Sequence, residues 1–271
     1  SCRSPLYWSP SPPRSGAGRG FTTYMHALEP SQEGPPRGRF ARPVHRRAPR
    51  IYAHAEVPSL VEAAGHLARG VRAQTYPALF GLLAATGIRV GEALALDRDE
   101  ADLTDGVLTI TRGKSRDPRL VPLHETTTAV LTLYAAWRDD RQPKPAGDDA
   151  PFFTDQDGDR LAYMNVRHAF EQASAAAGLR DEAQPPRSHG LRHTFAVNTL
   201  LGWYRDNADV AAKMPLLSTF LGHTDPANTY WYLSAVPELL AYAANRLSDT
   251  GQRVRSCPVL PRCSKRASPI G

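Results

Sequence analysis

A chain of 271 residues, 41% of them hydrophobic and 22% charged, is long enough to bury one large core or two small ones. No apolar run approaches the roughly 20 residues that span a bilayer, and the opening residues lack the charged-then-apolar order of a signal peptide, so a membrane role is excluded and a cytoplasmic location is expected. The three cysteines, Cys2, Cys257 and Cys263, all sit in the tails; they leave no disulfide for the folded region and too few ligands for zinc, and neither metal nor cofactor is expected.

The net charge of +6 invites a nucleic-acid reading that its distribution weakens. Positions 1–50 carry nine arginines against Glu29 and Glu33, a balance of +7. Positions 251–271 carry Arg253, Arg255, Arg262, Lys265 and Arg266 with no acid, a balance of +5. Taking both from the total leaves 51–250 at −6. Any case for DNA has to rest on where individual cations sit.

In chain order, the first fifty residues are rich in Pro, Gly, Ser and Arg and predict a disordered linker. Helical spacing begins near Pro58 and runs to Arg69, resumes over Tyr76–Ala85, where Gly87 supplies the stop, and continues over Arg89–Leu96. The period then changes. Val107–Thr111 and Arg119–Leu123 predict a β-hairpin with positions 113–118 at its tip. Helices follow over Thr126–Trp137, Met164–Ala177, His189–Leu201, Ala208–Leu221 and Pro237–Leu247, and 251–271 predicts a disordered basic tail. The fold class is mainly α with a small antiparallel β-sheet, with 51–250 as the folded domain.

Four polar clusters interrupt this apolar pattern. In the first, Arg89 follows a glycine turn and Glu92 lies three residues on, where an i,i+3 ion pair is within reach; an ordinary surface pair would look the same. The second is the hairpin tip, where Arg112, Lys114, Arg116 and Arg119 face only Asp117 and form either a basic finger or a solvated turn. In the third, His189 and Arg192 share a helix face, while His193, about 100° round from Arg192, is expected to be structural. The fourth is Gly222-His223, a proline turn, and Thr229-Tyr230-Trp231-Tyr232, aromatics that would equally suit a core.

Taken together, the order Arg89, Lys114, His189-x-x-Arg192, Gly222-His223, Tyr232 closely resembles the tyrosine recombinase, or phage integrase, family over about Ile51 to Leu247. The segments Leu216–His223 and Thr229–Leu239 resemble transposon-borne site-specific recombinases most of all. The resemblance implies an enzyme that cuts and rejoins double-stranded DNA through a 3′-phosphotyrosyl intermediate. Its nucleophile would be Tyr232, nine residues past His223, and its general acid Lys114, five residues before Arg119. Arg89 and Arg192 would clamp the phosphate oxygens bidentately. His189 would act as base or relay and His223 would hydrogen-bond a non-bridging oxygen. Glu92 would orient a member of the site, and Arg112, Arg116 and Arg119 would meet DNA. The last helix would dock into a neighbouring protomer of a DNA-bound tetramer.

Two departures open alternatives. The family's N-terminal helical clamp does not fit into fifty residues, and Phe21–Pro30 resembles only its final helix, so a truncated recombinase, or an inactive DNA-binding remnant of one, is the expectation set against an active enzyme. A type IB topoisomerase shares the chemistry, but Gly222-His223 and the Tyr232 segment favour a recombinase.

Overall fold

Helix α1 (Glu56–His66) lies against α2 (Arg72–Thr86), the helix around which the domain is organised, since α2 also packs on α4 (Glu125–Arg141) and α6 (His189–Arg205). Its sequence explains this: Tyr76, Leu79, Phe80, Leu82 and Leu83 are buried on all sides of the helix rather than along one stripe. The architecture is that of a computed structural model, which describes residues 49–67, 70–112, 118–142, 150–181, 184–235 and 239–240. The expected linker up to position 48 and the basic tail at 251–271 lie outside the described residues, as do Lys114 and Arg116.

Helix α2 starts four residues earlier than expected and carries Pro77 within it; it ends where predicted, at Gly87, whose φ of 64° is left-handed. After the short α3 (Val90–Ala95) come a 3-10 turn (Arg98–Glu100) and three antiparallel strands, β1 (Ala101–Asp102), β2 (Val107–Ile110) and β3 (Arg119–Pro122). The hairpin is as predicted, in the register Ile110 opposite Arg119. Strand β1 has no counterpart in the sequence reading because two residues carry no detectable alternation. Helix α5 (Tyr163–Ala176) closes the larger core against α1, with Phe170 meeting Tyr52 and Phe80 edge to face.

The second core is built from α6, α7 (Val210–Leu221) and α8 (Ala227–Ala235) around Val197, Leu200, Met214, Leu217, Leu221 and Tyr232. Helix α8 was expected only as a tyrosine-rich segment; Asp225 starts it by accepting from the Ala227 amide at 2.9 Å. Leu239 is fully buried in this core and Leu240 is half exposed, both helical. The remainder of the expected Pro237–Leu247 helix lies outside the described residues.

Candidate active site

The C-terminal end of α7 organises the site. A helix ends with carbonyls that have no partner inside it and with the negative pole of its dipole, so it attracts cations. Three successive carbonyls here each receive a different arginine. Phe220 O accepts from Arg119 Nε at 3.0 Å, Leu221 O from Arg192 Nη2 at 2.6 Å, and Gly222 O from Arg89 Nη2 at 2.7 Å. Arg192 also reaches Gly87 O at 2.7 Å through Nη1, so one guanidinium ties the end of α2 to the end of α7. Both capping glycines are left-handed, and a side chain would not fit at either: a Cβ on Gly87 would stand 2.7 Å from the Phe195 ring, and one on Gly222 2.8 Å from Arg119 Cζ.

Glu92 neutralises part of this charge. It is 2% exposed and pairs with Arg89 Nη1 at 2.6 Å and with Arg119 Nη2 at 2.6 Å, while its second oxygen also accepts the Arg89 amide at 2.9 Å at the start of α3. Burial works to raise its pKa, but hydrogen bonds from Arg119 and Arg89 outweigh it and hold the carboxyl below the usual range. Burial and the neighbouring Arg89 lower Arg192 to about 10, which leaves it charged at neutral pH.

Arg119 corrects the sequence reading. It alternates with Val121, which is fully buried, so β3 turns Arg119 inward while Leu120 faces out. Its side chain is 8% exposed and committed to Glu92 and to Phe220 O, so Arg119 is turned into the site and not outward with the other hairpin cations. Arg112, at the hairpin's other shoulder, is half exposed and pairs with Asp97 at 2.9 Å, an acid that also holds Arg160.

Helix α6 presents two histidines to the site, His189 and also His193, which the sequence reading expects to be structural. His193 Nδ1 lies 2.9 Å from the Tyr232 hydroxyl. His193 is four residues past His189, so the two share a face, and their rings meet edge to face at 4.5 Å. The i,i+4 spacing was the available signal. Burial, with His189 and Arg192 nearby, depresses His193 to about 3. Crowding by protein and by Arg192 lowers His189 as well, although part of that ring remains open to solvent. His223 accepts or donates at Nδ1 to Thr229 Oγ1, 2.7 Å away, and burial next to Arg192 brings it down to about 4. The three imidazoles are neutral at pH 7 for one shared reason: each sits beside fixed cations in a partly dry site.

Tyr232 and Tyr230 separate cleanly. Two residues on a helix are about 200° apart; Tyr232 is 2% exposed and turned inward, while Tyr230 is 48% exposed. The structure thus gathers Arg89, Glu92, Arg119, His189, Arg192, His193, His223 and Tyr232 through the ends of α2, α6 and α7 and the inner face of α8.

The profile of the "Phage integrase family" matches residues 50–238, a stretch that contains every one of these residues. The chain belongs to the phage integrase family. Among its relatives in that family, a putative integrase/recombinase of Sinorhizobium fredii, y4rE, is 40% identical over 86% of this chain and 75% of its own length. Tyrosine recombinase XerD of Caulobacter vibrioides is 30% identical over 77% of this chain and 65% of its own. A crystal structure of XerA recombinase shares the fold, with a TM-score of 0.58 and 24% identity over 85% of this chain and 74% of that one. The mainly helical integrase fold with its small sheet is therefore the one expected from sequence.

Proposed function

We propose that this chain is a site-specific DNA recombinase in which Tyr232 is the nucleophile, and that its catalytic set is Arg89, Lys114, His189, Arg192, His193, His223 and Tyr232. The observation that carries the proposal is the convergence of two fixed guanidiniums, on Gly87, Leu221 and Gly222, with a tyrosine hydroxyl already hydrogen-bonded to a neutral imidazole.

The chemistry follows. A phenol of pKa about 10 is only about 0.1% ionised at pH 7, a deficit of roughly 4 kcal/mol. The negative charge of the bound phosphate raises His193 from its low value in the free chain, and His193, 2.9 Å away, accepts that proton as the tyrosine oxygen bonds to phosphorus, with His189 behind it as the ring nearer solvent. The phosphorus–O5′ bond breaks, and the leaving oxygen takes a proton from Lys114. The pentacoordinate transition state carries more charge on its non-bridging oxygens than the ground state; Arg89, Arg192 and His223 meet that charge. Bond energy passes into the phosphotyrosyl ester and returns when the exchanged 5′-hydroxyl attacks it.

Helix-end anchoring gives Arg89 and Arg192 their geometry without a metal ion's coordination sphere, since a guanidinium whose carbonyl partners are fixed does not have to reorganise during reaction. Glu92 and Arg119 act through Arg89 and are positioning residues. Because Tyr232 is 2% exposed, binding of DNA has to draw α8 outward before the hydroxyl reaches phosphorus. Assembly into a DNA-bound tetramer through the last helix is the family's arrangement, and the exposed Leu240 beside buried Leu239 is compatible with it.

The deciding experiment is a nicked suicide duplex, from which the cleaved strand diffuses away, built on the ends of the genetic element that carries the gene. An adduct that survives denaturation, present in the natural chain and absent in Tyr232→Phe, is expected. An adduct retained in Tyr232→Phe and lost in Tyr230→Phe would overturn the assignment. A folded chain that forms none would favour the DNA-binding remnant.

A further inference from the structure

Thr229 is fully buried and takes no part in the chemistry above. It lies on the inward face of α8, three residues before Tyr232, and its Oγ1 is 2.7 Å from Nδ1 of His223. Either atom could be the donor, since a hydroxyl gives or accepts and a neutral imidazole holds its proton on one nitrogen or the other.

The surroundings choose between them. A threonine hydroxyl has one proton to place, and burying it without an acceptor is costly. Elsewhere in these helices that proton goes to the carbonyl four residues back: Thr86 donates to Leu82 O at 2.7 Å, Thr194 to Gly190 O at 2.9 Å and Thr199 to Phe195 O at 2.9 Å. Thr229 makes no such bond. The corresponding carbonyl, Asp225 O, receives the Asn228 amide at 3.0 Å and Asn228 Nδ2 at 3.2 Å instead. Among the described residues, Nδ1 of His223 is the one hydrogen-bond partner of Thr229 Oγ1. Thr229 therefore donates, and Nδ1 offers a lone pair. His223 is neutral near pH 7, because burial and the neighbouring Arg192 bring it down to about 4. Its single ring proton is then on Nε2, which makes no hydrogen bond among the described residues.

We propose that Thr229 is a positioning residue for strand cleavage: its hydroxyl fixes His223 in the tautomer whose Nε2–H is presented to a non-bridging phosphate oxygen. The inference rests on the recombinase reading and assigns what makes His223 a donor there. The opposite tautomer would turn a lone pair towards an anion and repel it. The pair is also suited to travel. Six residues and one turn separate His223 from Thr229, and the Thr229 amide donates to Pro226 O in that turn at 2.8 Å. A movement of α8 that brings Tyr232 to phosphorus thus carries hydroxyl and ring together.

The test reads the ring directly. In the full, isotope-labelled chain without DNA, proton–nitrogen correlation spectra of the His223 ring, assigned by their loss in His223→Gln, are expected to show an unprotonated Nδ1 and a protonated Nε2. A proton on Nδ1 overturns the proposal, and this measurement needs no variant of Thr229 to fold. Thr229→Val keeps the shape without the hydroxyl. It should make a protonated Nδ1 detectable and slow adduct formation on the nicked suicide duplex by about tenfold, short of the roughly 10²-fold or more that removing a transition-state donor outright costs. Thr229→Ser keeps the hydroxyl and should retain both the natural ring pattern and a rate close to the natural one. A Thr229→Val chain with the natural pattern and the natural rate overturns the proposal. So does a Thr229→Ser chain as slow as Thr229→Val, which would make the residue a packing element. The two readings fail separately. A folded chain with the proton on Nε2 that never forms an adduct keeps the tautomer and sinks the recombinase reading, whereas a Tyr232-dependent adduct with the proton on Nδ1 sinks this inference alone.

Discussion

The hydroxyl of Tyr232 and Nδ1 of His193 are 2.9 Å apart, so the proposed nucleophile is held by the residue that directly follows the pair His189-x-x-Arg192, rather than by a member of that pair. His193→Gln keeps a side chain able to hydrogen-bond the phenol but removes the proton acceptor. We expect it to slow covalent-adduct formation by roughly 10²-fold or more, with the loss partly recovered as pH rises and the phenol ionises unaided. His189→Gln should cost less. If His189→Gln abolishes the adduct while His193→Gln reacts normally, the base is His189.

The same imidazoles set an acid limit on the fold. His193 and His223 have folded values of about 3 and about 4, both below the ordinary value of 6.5. The unfolded chain therefore binds protons that the folded chain refuses, and stability falls as pH drops from about 7 towards 4. Near pH 5 unfolding should take up about two protons on account of these rings. Calorimetry in buffers of different ionisation enthalpy measures that uptake, and His193→Gln should lower it by about one; an uptake independent of the substitution would contradict the burial argument.

Glu92 acts in a lower window. Its folded pKa lies below the ordinary carboxylate value, so its contribution is complete above the unfolded pKa and disappears as pH falls through the folded one. Glu92→Gln leaves Arg89 and Arg119 facing each other without a carboxylate, a change of the kind that costs roughly 3–5 kcal/mol for a buried pair. Thermal melts should show a large Tm loss at pH 7 that narrows towards pH 3. A variant as stable as the natural chain at neutral pH would mean that water replaces the carboxylate.

Gly222→Ala should be disproportionately damaging for one methyl group. The left-handed backbone alone costs roughly 1–2 kcal/mol, and the new Cβ would meet Arg119 Cζ at 2.8 Å. A free arginine would swing aside, but this one is fixed by Glu92 and Phe220 O. Loss of both stability and strand cleavage is expected, and a crystal structure of the variant should show Arg119 displaced.

Arg192→Lys tests the bridge between helix ends. One ammonium cannot reproduce the fork that spans Gly87 O and Leu221 O, so the variant should lose stability as well as cleavage. Unchanged melting with lost cleavage would confine Arg192 to the reaction.

Sequence carried much of this because the elements are strongly periodic and because Gly87 and Gly222 mark helix ends without ambiguity. The family resemblance, through a nine-residue spacing from His223, selects Tyr232 over Tyr230, and the two lie on the inward and outward faces of α8. What sequence obscured were directions. Arg119 belongs to a run of cations at the hairpin and was grouped with them, although alternation with Val121 turns it inward. For His193 the angle to Arg192 points away from the site, whereas its i,i+4 register with His189 brings it in. The meeting of three arginines at consecutive carbonyls was illegible for a deeper reason: it is a long-range property of where α7 ends, separated by 133 residues from Arg89 and 101 from Arg119.

That meeting point constrains how the gene can vary. Deleting one residue within Val210–Leu221 would rotate the helix end by about 100° and withdraw it by about 1.5 Å, so all three arginines would lose their acceptors in a single step. Insertions at the hairpin tip or beyond Gly178 touch none of those acceptors. Drift in target preference therefore has room in the loops, whereas the length of one twelve-residue helix is close to immutable. A library built to retarget this enzyme should hold that length constant and spend its diversity elsewhere.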